Sequence, residues 1–269
     1  MSSLALAQAL WSILTVLWFL IGLFVYLALA RQISVRVEPV GPNLPKRFGI
    51  PEALIATVLV FLLILNVFKG GSSSPADVDT STLINSLILT TVIVLVLIAF
   101  LIFRGLNVDA LAGFSKVGAV RAVALAAILL LLAYPLIIYA EALVERLIGH
   151  GSSRQTIVEA FSESTTLQQR IIIIVLAVAV APMAEELVFR FFLYGVLRRY
   201  FGIVIALVFN SLLFAAVHQH LPSFAPLFVL GCCFTVAYEW SGSILVAMAM
   251  HALFNAANLV VLAFPGLGE

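Results

Sequence analysis

Eight long apolar runs decide what this chain can fold into. A helix crossing roughly 30 Å of hydrocarbon needs about 20 mostly apolar residues. Runs of that kind lie at 4–30, 51–68, 83–103, 122–140, 171–197, 203–221, 223–238 and 244–264 of the 269 residues. They are too long and too uniformly apolar for the alternating strands of a transmembrane barrel. Composition agrees: 64% of residues are hydrophobic and 10% charged, against about 45–50% and about 25% in soluble domains. A soluble enzyme and a disordered chain are thereby excluded. Lys and Arg number 14 against 13 Asp and Glu, a net charge of +1. With no charged tail, the balance also excludes a nucleic-acid partner held by a basic surface. The expected fold is all-α: a polytopic transmembrane bundle of eight spans with a polar intramembrane cavity. It forms one integral domain over residues 1–269, multi-pass in the cell membrane, with the bilayer as solvent.

The first run lacks a basic leader and is followed directly by Arg31, so it reads as a retained anchor rather than a cleaved signal. Basic loop residues set the orientation. Arg31, Arg36, Lys46, Arg47, Arg104, Lys116, Arg121, Arg198 and Arg199 fall on one side; Lys69, Arg146, Arg154 and Arg170 fall on the other. The richer side is read as inside, with both termini outside. Residues 38–51 hold four prolines and two glycines and read as extended linker. Residues 70–82 read as a flexible polar loop, and 107–120 as a short interfacial helix. Residues 149–170 read as a loop with a helix around 154–161. Ser164, Thr165 and Thr166 then offer N-caps for the fifth span. Cys232 and Cys233 are adjacent in an apolar run and read as packing residues, since neighbours seldom bridge.

Charge inside a bilayer is expensive, from about 2.5 kcal/mol upward at the centre. The second half of the chain nevertheless concentrates polar residues within its spans. Glu185, Glu186 and Arg190 lie in the fifth, His218 in the sixth, and His251, Asn255 and Asn258 in the eighth. Asn210 and Glu239 are further polar residues at or near membrane depth. Glu186 and Arg190 are four apart, so they can pair on one face, and a structural ion pair is their plainer role. Glu185 lies about 100° around the helix and is left free to face a cavity. Pro182 can loosen the helix one turn before the glutamates. His251 and Asn255 share a face. Each residue alone has a structural reading: an interhelical hydrogen bond for His218, an interfacial position for His220, a loop position for His150, a kink at Tyr134 and Pro135, a membrane-edge anchor at Glu239 and Trp240. Counting 1.5 Å per residue from the loops, Glu185, His218 and His251 reach compatible depths, which suits a shared site.

Such a set suits water chemistry. A glutamate with a histidine can hold and deprotonate water, and a histidine with an asparagine can stabilise an oxyanion. No GxSxG serine signal is present. Two other readings stand beside this one. Glu185, His218 and His251 are a possible zinc set, although the HExxH spacing is absent, and a Glu/His relay could conduct protons or ions.

EELVFR (185–190), FAAVH (214–218) and HALFN (251–255) resemble the EExxxR, FxxxH and HxxxN motifs of the CPBP family. That family, also called the CAAX-protease or Abi family, includes the type II CAAX prenyl endopeptidase known as the Ras-converting enzyme. The three motifs occur in order on separate spans. The resemblance implies a CPBP-type catalytic core over 170–264, whereas residues 1–148, the N-terminal helices, match only in being hydrophobic. It further implies an intramembrane endopeptidase with a conical cavity in an eight-helix bundle. Glu185 would be the base, His218 would help position water, and His251 and Asn255 would form the oxyanion hole. Glu186 and Arg190 would be supporting residues. No cofactor is implied, with zinc as the lesser alternative. Expected partners are the bilayer and a peptide or membrane-protein substrate, with prenylation left open. A non-catalytic immunity or binding role is also represented among microbial members.

Overall fold

The structure is a computed structural model that describes residues 3–36, 47–69, 80–148, 161 and 166–264. The helix expected around 154–161, His150, Ser164, Thr165 and most of the two polar linkers lie outside the described residues. Among the described residues all regular structure is helical. The helices are α1 (Ser3–Ser34), α2 (Ile50–Lys69), α3 (Thr80–Phe103), the short α4 (Val108–Ala112) and α5 (Ala119–Ile148), then α6 (residues 167–201), α7 (residues 203–217), α8 (Phe224–Ser241) and α9 (Ile244–Ala263).

Six stretches are long and apolar enough to cross a membrane. One of them, Leu167–Val217, has 51 residues, roughly 75 Å if straight at 1.5 Å per residue. No bilayer is that thick. The stretch instead breaks at Gly202, whose φ of 80° and ψ of 175° are essentially open only to glycine. Side chains 33 residues apart, Glu185 and His218, then meet at 4.0 Å, so α6 and α7 are an antiparallel hairpin. Split there, and joined by the shorter apolar helix Leu87–Phe103, the six stretches become the eight expected from the sequence. The polytopic helical bundle is therefore as anticipated. The spans differ in extent from the apolar runs: α1 continues to Ser34 and α5 to Ile148.

Burial sorts the helices into centre and periphery. Only 17% of the most apolar window of α1 and 11% of that of α2 is buried, against 56% for α8. In α1, Trp11, Phe24 and Leu27 stand exposed, as lipid-facing side chains should. The long α5 packs against α1, α8 and α9, while α3 and α9 both lie against the Ala181–Glu186 turn of α6. From Phe189 to Tyr194 every residue is buried, which happens when a helix is enclosed all round.

Three local contacts hold α1 to α5. Pro135 sits inside α5 and has no N–H for the carbonyl of Leu131 four residues earlier. The indole of Trp18 on α1 donates to that carbonyl at 3.0 Å. One turn along α1, a Cβ at Gly22 would lie 2.2 Å from the Leu132 carbonyl oxygen, so only glycine permits this approach. Farther along, the Tyr26 hydroxyl donates to Leu129 O at 2.9 Å. Because close helix contact in lipid rests on packing and such hydrogen bonds, Gly22→Ala is expected to separate α1 from α5. Thermal unfolding in detergent should register a loss of about 1–3 kcal/mol. Gly118→Ala, where nothing lies within 4 Å, should leave the transition unchanged.

Candidate active site

The start of α6 is fixed by a capping box. Thr166 Oγ1 accepts from Gln169 N, and the Gln169 side chain accepts from Thr166 N. From there the helix is not uniform. Two π turns, Leu176–Val180 and Leu187–Leu193, flank the α-helical turn Ala181–Glu186. Single π turns inside α-helices often mark functional sites. In the first π turn the Ala181 N–H donates to Leu176 O. The next donor in that i−5 register would be residue 182, which is proline, so the Ala177 carbonyl loses its backbone donor. Asn255 Nδ2 of α9 supplies it at 2.8 Å. Pro182 thus does more than loosen α6: it frees the carbonyl that docks α9. Asn255 has a second amide hydrogen beyond that bond.

Glu186 and Arg190 are both fully buried. Arg190 Nη1 donates to Glu186 Oε1 at 2.9 Å. His251 Nδ1 reaches the same oxygen, also at 2.9 Å. A carboxylate paired with arginine only accepts, so His251 Nδ1 carries the proton. The guanidinium lies 4.1 Å from the Phe214 ring centroid and 5.1 Å from that of Phe234, a cation–π arrangement. The His251 ring stacks on Phe234 at 4.9 Å. Gly231 lets α8 approach α7 closely, since a Cβ there would stand 3.2 Å from Ser211 Cβ and 3.3 Å from the Phe214 ring.

Glu185 is turned away from this pair, as the 100° offset requires. Its side chain is 30% exposed and that of His218 20%, so both are open to an entering molecule. His218 closes the C-terminus of α7, where its Nδ1 donates to the Phe214 carbonyl at 2.7 Å. A carbonyl oxygen cannot donate, so here too the proton is on Nδ1. Nε2 of His218 then faces Glu185 Oε2 at 4.0 Å, and Nε2 of His251 faces the same oxygen at 3.9 Å. Helices α6, α7 and α9 therefore each bring one side chain to a single point.

The remaining polar residues separate from this point. His220 accepts from Ser223 N at 3.3 Å and caps the turn Leu221–Ser223, so its role is local. Asn258 is exposed. Asn210 is fully buried but eight residues before His218, about 12 Å along α7. Glu239 binds Arg198 and Tyr194 at the other end of the bundle. Cys232 and Cys233 are free thiols. Among the described residues, no three His, Cys, Asp or Glu side chains are grouped to hold a metal ion.

Phe234 and the Ala177 carbonyl belong to the site without having been legible. Phe234 is one aromatic among many in an apolar run. The carbonyl is signalled only by Pro182, whose partner cannot be read from spacing.

Residues 167–257 match the family model described as Rce1-like, type II CAAX prenyl endopeptidase Rce1-like. The matched segment contains all three motifs and agrees with the resemblance read from them. It supports a CAAX-protease-like membrane endopeptidase. Neither the curated proteins nor the solved structures gave a match.

Removing one member of a buried pair leaves the other uncompensated, at a cost of about 3–5 kcal/mol. Arg190→Ala is expected to lower unfolding stability by that order, and Glu186→Ala likewise. Glu185→Gln, at the open edge of the site, should unfold with the wild-type protein. Calorimetry in a single detergent checks all three.

Proposed function

We propose, from the Rce1-like character of residues 167–257, that this protein is an intramembrane endopeptidase in which Glu185 is the general base. The observation that carries the reading is the convergence of two histidine Nε2 atoms on Glu185 Oε2, at 4.0 and 3.9 Å. Polar atoms at that separation are too far apart for a direct hydrogen bond and close enough for one water to bridge. With both Nδ1 atoms committed elsewhere, each Nε2 is the ring atom available to the reaction.

The chemistry follows from these positions. A water held between Glu185 and His218 gives its proton to the Glu185 carboxylate as its oxygen attacks the scissile carbonyl. The new C–O bond forms, and the carbonyl electrons move onto oxygen. That oxyanion is stabilised by the free amide hydrogen of Asn255 and by His251. His251 donates from Nε2 when its ring carries both protons. When the oxyanion collapses, the C–N bond breaks and the proton on Glu185 passes to the leaving amine. Glu186 and Arg190 touch no reacting atom; they position His251. The substrate is a peptide or a membrane-protein segment that reaches the site from within or beside the bilayer. Glu185, His218 and His251 are also the side chains that a zinc peptidase would use, and the metal-independent route is the one proposed.

Mass-spectrometric profiling of new peptide termini in native membranes tests this directly. Termini produced by the wild-type protein should persist with chelator present and disappear in Glu185→Gln. With an isolated substrate, Glu185→Gln and His218→Ala should each slow cleavage about 10²-fold or more, with folding intact. Undiminished turnover by either variant removes the mechanism. Loss of termini on chelation replaces it with the zinc reading.

A further inference from the structure

A second polar site lies at the end of the bundle that carries the α6–α7 turn. Counted along α6 from Glu185, Arg198 is about 20 Å away, so this is not the reaction centre. A cavity of about 560 Å³ opens there, within the roughly 300–1,000 Å³ of small-molecule sites. Arg36, Arg47, Lys116, Arg198 and Arg199 line it, with Glu239 as the one acid among the lining residues. They come from five different parts of the chain, and this is the side that the basic-loop count places inside.

The walls are built rather than incidental. Arg36 donates to the backbone carbonyls of Glu239 at 3.0 Å and Trp240 at 2.7 Å; neutral acceptors leave its charge uncancelled. Glu239 is already engaged by Arg198 at 3.0 Å and by the Tyr194 hydroxyl at 3.0 Å. Lys116 and Arg199 have no carboxylate partner among the described residues. The loop after α4 is seated on the α8–α9 turn through two glycines. A Cβ on Gly113 would lie 1.9 Å from Gly242 O, and one on Gly242 would lie 3.1 Å from Lys116 Nζ. Glycine at both positions lets the backbones touch and places the lysine ammonium against the turn. Phe48, Phe191 and Tyr238 supply the apolar floor.

We infer that this cavity binds a phosphate ester, and that its natural source is the headgroup of an anionic phospholipid. With Glu239 held by Arg198, the charges of Arg36, Lys116 and Arg199 remain for a ligand to balance. Several guanidinium groups suit the tetrahedral, multiply accepting oxygens of phosphate. A basic pocket where helices end at the membrane surface is positioned for a lipid headgroup. The role is separate from peptide cleavage and stands whether or not Glu185 proves to be the base.

The test is native mass spectrometry of delipidated, detergent-purified protein titrated with phosphatidylglycerol, with phosphatidylcholine and with glycerol 1-phosphate as competitor. Phosphatidylglycerol should be retained in preference to phosphatidylcholine. The double variant Lys116→Ala with Arg199→Ala should weaken that retention about tenfold or more, while Lys116→Arg with Arg199→Lys should keep it. Retention that millimolar glycerol 1-phosphate does not displace identifies the lipid as the source. Displacement supports the phosphate site and assigns it to a soluble ester. Equal retention of the two lipids, or unchanged binding by a correctly folded double alanine variant, overturns the proposal.

Discussion

One carboxylate oxygen, Glu186 Oε1, ties together the second half of this molecule. It accepts from Arg190 on its own helix and from His251 on α9, both at 2.9 Å. In hydrocarbon neither charge of the Glu186–Arg190 pair is tolerable alone, so the pair can exist only where protein encloses it. Phe214 and Phe234 complete that enclosure from α7 and α8. The requirement to bury one ion pair therefore brings four helices to one place. The contact to His251 links that ion pair to the Glu185 carboxylate. With its Nδ1 proton held, the ring directs Nε2 toward Glu185. Two consecutive glutamates thus divide the work: Glu186 belongs to the scaffold and Glu185 to the open edge.

Proline acts the same way in both halves of the chain. Pro135 and Pro182 each lack the donor that a neighbouring carbonyl would use, and each freed carbonyl receives a side chain from another helix. Trp18 donates to Leu131 O beside Pro135, and Asn255 donates to Ala177 O ahead of Pro182. A local defect in one helix becomes the docking point of another. In a bilayer, where no water can satisfy such a group, the docking is correspondingly specific. For Asn255 the consequence is positional, because the bond to Ala177 fixes its amide on α9 one turn from His251.

How much of this was legible in the sequence depends on the length scale of each feature. Helix spacing is periodic, so the Glu186–Arg190 pairing, the outward turn of Glu185 and the shared face of His251 and Asn255 could be read directly. The spans were legible because hydrocarbon thickness sets a length, and Gly202 breaks the helix where Arg198 and Arg199 already interrupt the apolar pattern. Features that depend on which helix faces which were not legible. Phe234 carries no mark distinguishing it from other aromatics of α8. The two π turns leave no pattern of their own in residues 176–180 and 187–193. The basic residues at the loop ends were visible only as an orientation signal. Their gathering around a cavity required the folded ends of α1, α6 and α8, the start of α2 and the loop after α4.

The arrangement stands or falls on the protonation of two imidazole rings. The protein has four histidines, few enough for residue-specific assignment of ¹⁵N-histidine-labelled protein through single His→Gln variants. Nitrogen chemical shifts at neutral pH report which ring atom carries the proton. Anchoring by Glu186 and by the Phe214 carbonyl predicts a protonated Nδ1 in both His251 and His218. Neutral rings protonated on Nε2 alone would mean that neither anchor operates, and that the convergence of the two Nε2 atoms on Glu185 is not the basis of catalysis.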